Sequence, residues 1–569
     1  MTMGRALSCY VSIIAALACS LFVFAQPRDK EKENDSEVKF TARTELVLIP
    51  TLVTDKSGNH IRGLKKEDFT VLENGAEQRV ATFEEITSDP QRLSRPRNPN
   101  EFSNSLAGGP SARRLTLIVL DLINTPFVDQ VYARKDLLKY LTQSVDQQEP
   151  TALYTLTRSG VHVIHDFATD PRVLVAALHR VKGDTSHTVD RPEDVEAITG
   201  SASPDGSAGL DPAAVQSEAG RLQTMMEDSE LNFQSFQQRL AITYTLQGMQ
   251  QVAQGLAGFP GRKSLIWASG GFPFSVSDNT MQLAPAGRDS LTDVLPMYEH
   301  TWQLLNDAQI ALYPVDVKGL QVSTTPSVGM RNPGRNYARN MSWRQMDTQS
   351  TLQTFASMTG GRAYYNSNDL AKGFRDAVND SAEYYMLGYY LDRSKTKAGW
   401  RKLAVKVKRD HVEVRARSGF FVTHATVDPE DTRTSDIASA LNSPLDYTSL
   451  PLVVRWDKVE PSKEPGKKRV IYGMHVAADA ALINTAENNH FVFDFVALAK
   501  TPEGKTVDHP VGKQVEAHLS AENLAAVHQN GVAYRGALDL VPGEYTVRFV
   551  VRDDLSGRMG SVAATLKVE

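Results

Sequence analysis

From Arg114 onward, short wholly apolar runs alternate with stretches whose apolar residues recur every three or four positions. The run Leu115-Thr116-Leu117-Ile118-Val119-Leu120 has strand length, and the next segment places Phe127, Val131, Leu138 and Leu141 on one helical face. Ala152 to Leu156 and Val161 to Ile164 read as strands, after which Asp170-Pro171 supplies an N-cap and a first-turn proline for a helix burying Leu174, Leu178 and Val181. A longer helix carries Ile242, Leu246, Met249, Ala253 and Leu256 at helical spacing and stops at Gly258-Phe259-Pro260-Gly261. Strands Ser264-Leu265-Ile266-Trp267 and Ile310 to Val315 flank a helix near Leu291 to Ala308. A further helix from about Asp347 turns Leu352, Phe355 and Ala356 inward and ends at Gly360-Gly361 in a left-handed cap. Ala363-Tyr364-Tyr365 and a helix marked by Leu370, Phe374 and Val378 complete the series. Such alternation predicts a mostly parallel sheet with helices on both faces over 114–392. Two polar segments, near 183–220 and 321–339, read as exposed insertions.

Outside this region the period is two. Residues 45–86 predict a small β domain, with Leu46-Val47-Leu48-Ile49 as a strand and Glu73-Asn74-Gly75 as a hairpin turn between Phe69/Val71 and Val80/Phe83. Residues 87–113, rich in Pro, Ser, Asn and Gly, read as a linker. Over 393–424 a β-hairpin extension is expected, with Leu403, Val405 and Val407 inward and Lys402, Lys406 and Lys408 on a solvated face. After a second linker at 425–445, strands at closely spaced intervals predict an immunoglobulin-like β-sandwich over 446–569, with one short helix within Ala517 to Val527.

The amino terminus adds an address. Residues 1–25 run from Arg5 through an apolar core to Val23-Phe24-Ala25, the order of a secretory signal peptide, and 26–44 form a charged tether. The chain is therefore expected to be secreted or periplasmic, with a membrane attachment only if the segment stays uncleaved. The two cysteines, Cys9 and Cys19, both fall inside it, so disulfides and thiol chemistry are excluded for the mature chain. A net charge of −5 with no basic stripe gives no argument for a nucleic-acid partner.

Candidate chemistry sits at Asp121-Leu122-Ile123-Asn124-Thr125, directly after the first strand of the alternating region, where open α/β sheets bind ligands. The loop resembles the Asp-x-Ser-x-Ser metal-site loop of von Willebrand factor A domains. Other segments extend the likeness: Gly63-Leu64-Lys65-Lys66-Glu67-Asp68-Phe69, Gly261-Arg262-Lys263-Ser264-Leu265-Ile266-Trp267, Tyr384-Tyr385-Met386-Leu387-Gly388-Tyr389 and Pro542-Gly543-Glu544-Tyr545-Thr546. Together they resemble a family of exported acidobacterial-type proteins with a divergent von Willebrand factor A-related domain. The resemblance implies a Rossmann-like A domain flanked by the small β unit and the β-sandwich. It implies no established activity.

In metal-binding von Willebrand factor A domains, hydroxyls and acids surround one Mg²⁺ or Mn²⁺, which demands oxygen ligands. Asp121 and Thr125 match ligand positions, Ile123 stands where the first Ser belongs, and Ser269 of Ala268-Ser269-Gly270-Gly271 replaces the Asp after the fourth strand. The site is thus expected to be degenerate, with Asp121 bonding the loops around Ser269 and Thr125. The second-loop Thr would be Thr243 or Thr245, both inside a helix pattern. An aspartyl phosphatase would need a second Asp at Ile123, so a hydrolase using Asp121 is the weaker alternative. The expectation is a non-enzymatic binding or adhesion module that offers Asn124, Ser269 and Phe272 to a protein partner. Its rival is an architectural envelope protein with no ligand at that edge.

Overall fold

In a computed structural model, the described residues are 44–87, 100–105, 115–143, 150–181, 229, 236–277, 280–282, 291–318, 349–367, 369–380, 383–392, 396–422, 429–478 and 489–569. The expected signal segment at 1–25, almost all of the expected tether and the expected insertions near 183–220 and 321–339 lie outside them. Among the described residues no helix is long and apolar enough to cross a membrane.

The amino-terminal region holds β1 (Thr44–Thr54), β2 (Phe69–Glu73), β3 (Ala76–Gln78), β4 (Thr82–Thr87) and β5 (Glu101–Ser103). The hairpin from β2 to β3 turns on Asn74 and Gly75, both at positive φ (48° and 85°), which is why that dipeptide marks it. Next come β6 (Leu115–Asp121), α1 (Phe127–Gln143), β7 (Thr151–Thr157), β8 (Gly160–Ala168), α2 (Pro171–Leu178) and helix α3 at 236–256. They are followed by β9 (Lys263–Ser269), β10 (Ser275–Ser277), β11 (Thr280–Gln282), α4 (Leu291–Asp307), β12 (Ile310–Asp316), helix α5 at 349–359 and α6 (Leu370–Asn379).

One sheet in this stretch has the order β12-β9-β6-β7-β8, parallel except for β7 against β8. Every residue of β6 is buried, so its alternating side chains feed two cores. Leu115, Leu117 and Val119 pack with Ile242, Leu246 and Met249 of α3 and Tyr298 and Trp302 of α4. Ile118 and Leu120 pack with Leu137 and Tyr140 of α1, Leu174 of α2 and Phe374 of α6.

The remaining strands change the class of the fold. They are β13 (Glu383–Asp392), β14 (Gly399–Val407), β15 (Glu413–Arg415) and β16 (Gly419–Val422), then, after α7 (Pro429–Asn442), β17 (Leu452–Pro461), β18 (Lys468–Val476), β19 (His490–Lys500) and β20 (Thr506–His518). Helix α8 (Ala521–Asn530), β21 (Val532–Leu540), β22 (Gly543–Asp553) and β23 (Met559–Val568) end the chain. Among the described residues the protein is mostly β, with 45% strand against 28% helix and five mostly antiparallel sheets. This overturns the expected class, a mostly parallel Rossmann-like sheet covered on both faces. Strand-helix alternation is confined to the middle of the chain, while antiparallel pairing on either side of it supplies most of the strands.

Much of that pairing joins distant segments. The sheets β15-β1-β13-β4 and β16-β14-β2-β3 interleave residues 44–87 with 383–422 around Val47, Ile49, Val71, Tyr385, Leu387 and Leu403. The small β domain expected at 45–86 and the hairpin extension at 393–424 are thus parts of one structure. Two more sheets, β21-β18-β17-β5 and β20-β19-β22-β23, share a core built on Val454, Tyr472, Phe493, Phe495, Val547 and Phe549. β5 comes from the segment expected as a linker at 87–113. Asn104 fixes it there: its amide donates to Tyr447 O (2.6 Å) and Leu450 O (2.8 Å), and its Oδ1 accepts from Leu452 N (2.8 Å). The other expected linker, 425–445, contains α7, which packs Ala440 and Leu441 against Tyr447, Leu498 and Val550.

Candidate functional site

Asp121 ends β6, and its carboxylate is 1% exposed. Oδ1 accepts from the backbone N–H groups of Ile123 (3.1 Å) and Asn124 (3.0 Å), a turn that folds the loop back on the strand end. Oδ2 accepts from Asn124 Nδ2 (2.8 Å), Trp267 Nε1 (3.1 Å) and Ser269 Oγ (2.9 Å). Burial pushes its pKa above the usual carboxylate value, against the bonds from Asn124, Trp267 and Ser269 that favour the ionised form.

The network continues outward. Asn124 spends its second amide hydrogen on Thr245 Oγ1 (2.8 Å), whose own hydroxyl donates to Ala241 O (2.7 Å) in α3. Thr125 Oγ1 accepts from Gly270 N (2.9 Å), tying the first loop to the turn after β9. Ser269 Oγ also lies 2.5 Å from Gly271 O, so its one proton is shared between that carbonyl and Asp121. Gln130 of α1 donates to Leu122 O (3.1 Å) and Thr125 O (2.9 Å) from beneath.

Asp121, Asn124, Thr125 and Ser269 therefore meet in one cluster, as their placement at strand ends predicts. Each is 3% exposed or less, and their hydrogen bonds turn inward. Phe272 is half-buried, its ring 4.5 Å from Phe355 and 6.2 Å from Phe274, and it packs on the core. Of the two threonines in α3, Thr245 joins the cluster, whereas Thr243 bonds Arg239 O in its own helix. Trp267 and Gln130 are the members that sequence reasoning passes over. A Trp inside an apolar strand is itself a signal, since a buried indole N–H needs an acceptor.

The residues present do not fit Mg²⁺ or Mn²⁺. Both oxygens of Asp121 are surrounded by N–H and O–H donors, which repel a cation, and Ile123 is a core side chain at 3% exposure. The buried acceptor left over is Asn124 Oδ1, a single neutral carbonyl. Among the described residues no group of three or more His, Cys, Asp or Glu side chains is placed to hold a metal. A nucleophilic carboxylate likewise needs an oxygen open to substrate, and Asp121 has both covered.

The surface beside this cluster is different. Of the face expected on α1, Leu141 is buried and Leu138 packs on the core, but Phe127 and Val131 are exposed, and Gln130, Ala133, Leu137 and Tyr140 turn inward in their place. The hooked Gln130 sets that rotation. Phe127 (54% exposed), Val128 (63%), Val131 (50%) and Tyr132 (58%) consequently face out on the first two turns. No protein-family model matches this chain, and no curated protein sequence matches it.

Proposed function

We propose that this chain is an exported protein-binding module whose contact surface is the first two turns of α1, held rigid by the Asp121 cluster beneath. The observation that carries the reading is the grouping of Phe127, Val128, Val131 and Tyr132 on one exposed face. Among the other exposed large apolar side chains of the described residues, Leu46 stands opposite Tyr390 as a single cross-strand pair, and Val173, Val459 and Val541 lie on separate elements. Scattered apolar residues need no explanation, whereas a contiguous patch marks an interaction site. Aromatic anchors on a regular helix, locked by hydrogen bonds to the neighbouring loop, are pre-organised for a partner. Asn124 and Ser269 serve that surface from below by fixing the loop from which α1 starts. The signal-like residues 1–25 support export, and the inward-turned Asp121 supports binding over catalysis.

The experiment compares wild type with the pair Val128→Glu and Tyr132→Glu. A partner recovered from the host's envelope and extracellular fractions is titrated against both. A loss of tenfold or more at unchanged thermal stability is expected, as for hot-spot residues whose removal costs about 2 kcal/mol. Equal affinity would remove α1 as the contact surface.

A further inference from the structure

At the amino ends of the parallel strands, away from Asp121, lies a cavity of about 140 Å³ walled by β1, the end of α4 and the segment 417–421. Its lining includes Glu45, Asn306, Asp307, Gln309, Arg417 and Phe420. Arg417 is 8% exposed, sits over the Phe420 ring with its guanidinium carbon 5.4 Å from the centroid, and leaves Nε without a hydrogen-bond acceptor. Two more cavity-lining residues carry unmet polar atoms: Asn306 Nδ2, a donor, and Gln309 Oε1, an acceptor. Three unsatisfied buried groups around one cavity are costly unless something enters to meet them.

The segment bearing Arg417 is built in. Ser418 N donates to Ser357 O (2.8 Å), and a Cβ on Gly360 would lie 3.0 Å from Arg417 N. The lining also sorts charge. Arg417 and Asn306 offer donors suited to a carboxylate. Glu45 and Asp307 bring negative charge, and the carboxyl end of α4 adds a partial negative pole, which together disfavour a plain anion. An apolar cavity of about 150 Å³ holds benzene, so this volume suits a molecule of roughly six heavy atoms.

We propose that the cavity binds a small zwitterion of the free α-amino acid class, its carboxylate on Arg417 and Asn306 and its ammonium toward Gln309 Oε1 and the end of α4. The site is independent of the α1 surface. Burial lowers the pKa of Arg417, while Asp307, Tyr389 and Glu45 pull it the other way; what a ligand would add is an acceptor for the unmet Nε.

The test is calorimetric titration of the full chain with L-alanine, acetate and methylammonium. Saturable binding of alanine is expected, at least tenfold tighter than either half-molecule. Arg417→Leu and Asn306→Leu, each checked for native circular dichroism, are expected to weaken it at least tenfold. No saturable heat from alanine up to roughly 10 mM, where a Kd of ~1 mM would still register, overturns the proposal. Acetate binding as tightly as alanine also overturns it, as does undiminished binding by either folded variant. Should both variants fail to fold, the ranking of the three ligands on wild type decides.

Discussion

Replacing Asp121 by Asn keeps the shape of the side chain and exchanges one oxygen for an NH2 group. In the native cluster Oδ1 serves two backbone N–H groups, while Oδ2 serves Asn124 Nδ2, Trp267 Nε1 and Ser269 Oγ. With its NH2 toward the side chains, the new amide strands the Trp267 indole and one Asn124 hydrogen, because only Ser269 has another acceptor, Gly271 O. Flipped, it strands the N–H groups of Ile123 and Asn124. Either orientation leaves at least two buried donors unmet at about 1–3 kcal/mol each, a gross loss of about 2–6 kcal/mol. Removing a buried charge recovers desolvation and offsets part of this. Urea unfolding followed by tryptophan fluorescence reads the difference, with Ser269→Ala, expected to cost about 1 kcal/mol, as a milder reference. If Asp121→Asn stays within about 0.5 kcal/mol of wild type, the network account is wrong. If Mg²⁺ raises the wild-type midpoint and leaves the variant unmoved, the carboxylate is a cation ligand after all.

Lys263 is wholly buried at the start of β9, donating to Phe259 O (2.6 Å), and burial lowers its pKa from 10.5 to about 7. Between those values the unfolded chain binds a proton that the folded chain does not. Stability should therefore rise with pH from about 7 toward 10.5, by at most ~1.4 kcal/mol per unit. Urea midpoints over this range should show the rise in wild type and lose it in Lys263→Met; parallel profiles would refute it. Asn104→Ala takes a partner from Leu450 O and Leu452 N, while Tyr447 O keeps Ser561 N, and should cost about 2–4 kcal/mol by thermal unfolding, more than a surface change allows. In Gly361→Ala the new Cβ would lie 1.9 Å from Leu312 O, so the variant should show a depressed Tm or fail to accumulate folded; a native Tm would contradict the close approach.

Local signals in the sequence translate well where the cause is local. Asn74-Gly75 makes its hairpin, Asp170 caps α2 by accepting from Arg172 N, and Gly360 takes φ +77° at the end of α5. The strand end at Asp121 gathers Asn124, Thr125 and Ser269 because parallel register brings adjacent strand ends together. Long-range pairing is another matter. Nothing in β1 announces β13 as its neighbour, since both are simply apolar strands, and a three-residue strand such as β5 in a polar segment carries too little pattern to stand out. On α1 two apolar stripes lie side by side, and apolar spacing alone does not choose between them. The polar Gln130, by bonding two loop carbonyls, selects one of them. Those same long-range strands moved the fold class from parallel α/β to mostly β.

The stitch at Asn104 also sets an order of events. Its partners lie 343 to 348 residues further along, and β1 waits for β13 across the whole middle of the chain. During synthesis from the amino terminus, β1 to β5 emerge with outer strand edges that no early neighbour covers. Their pairing closes very large loops, so folding is slow compared with that of the local helices and hairpins. These early segments are thus among the last to be locked. In the interval they are the part of the molecule most open to a chaperone, to a protease, or to pairing with another unfinished copy.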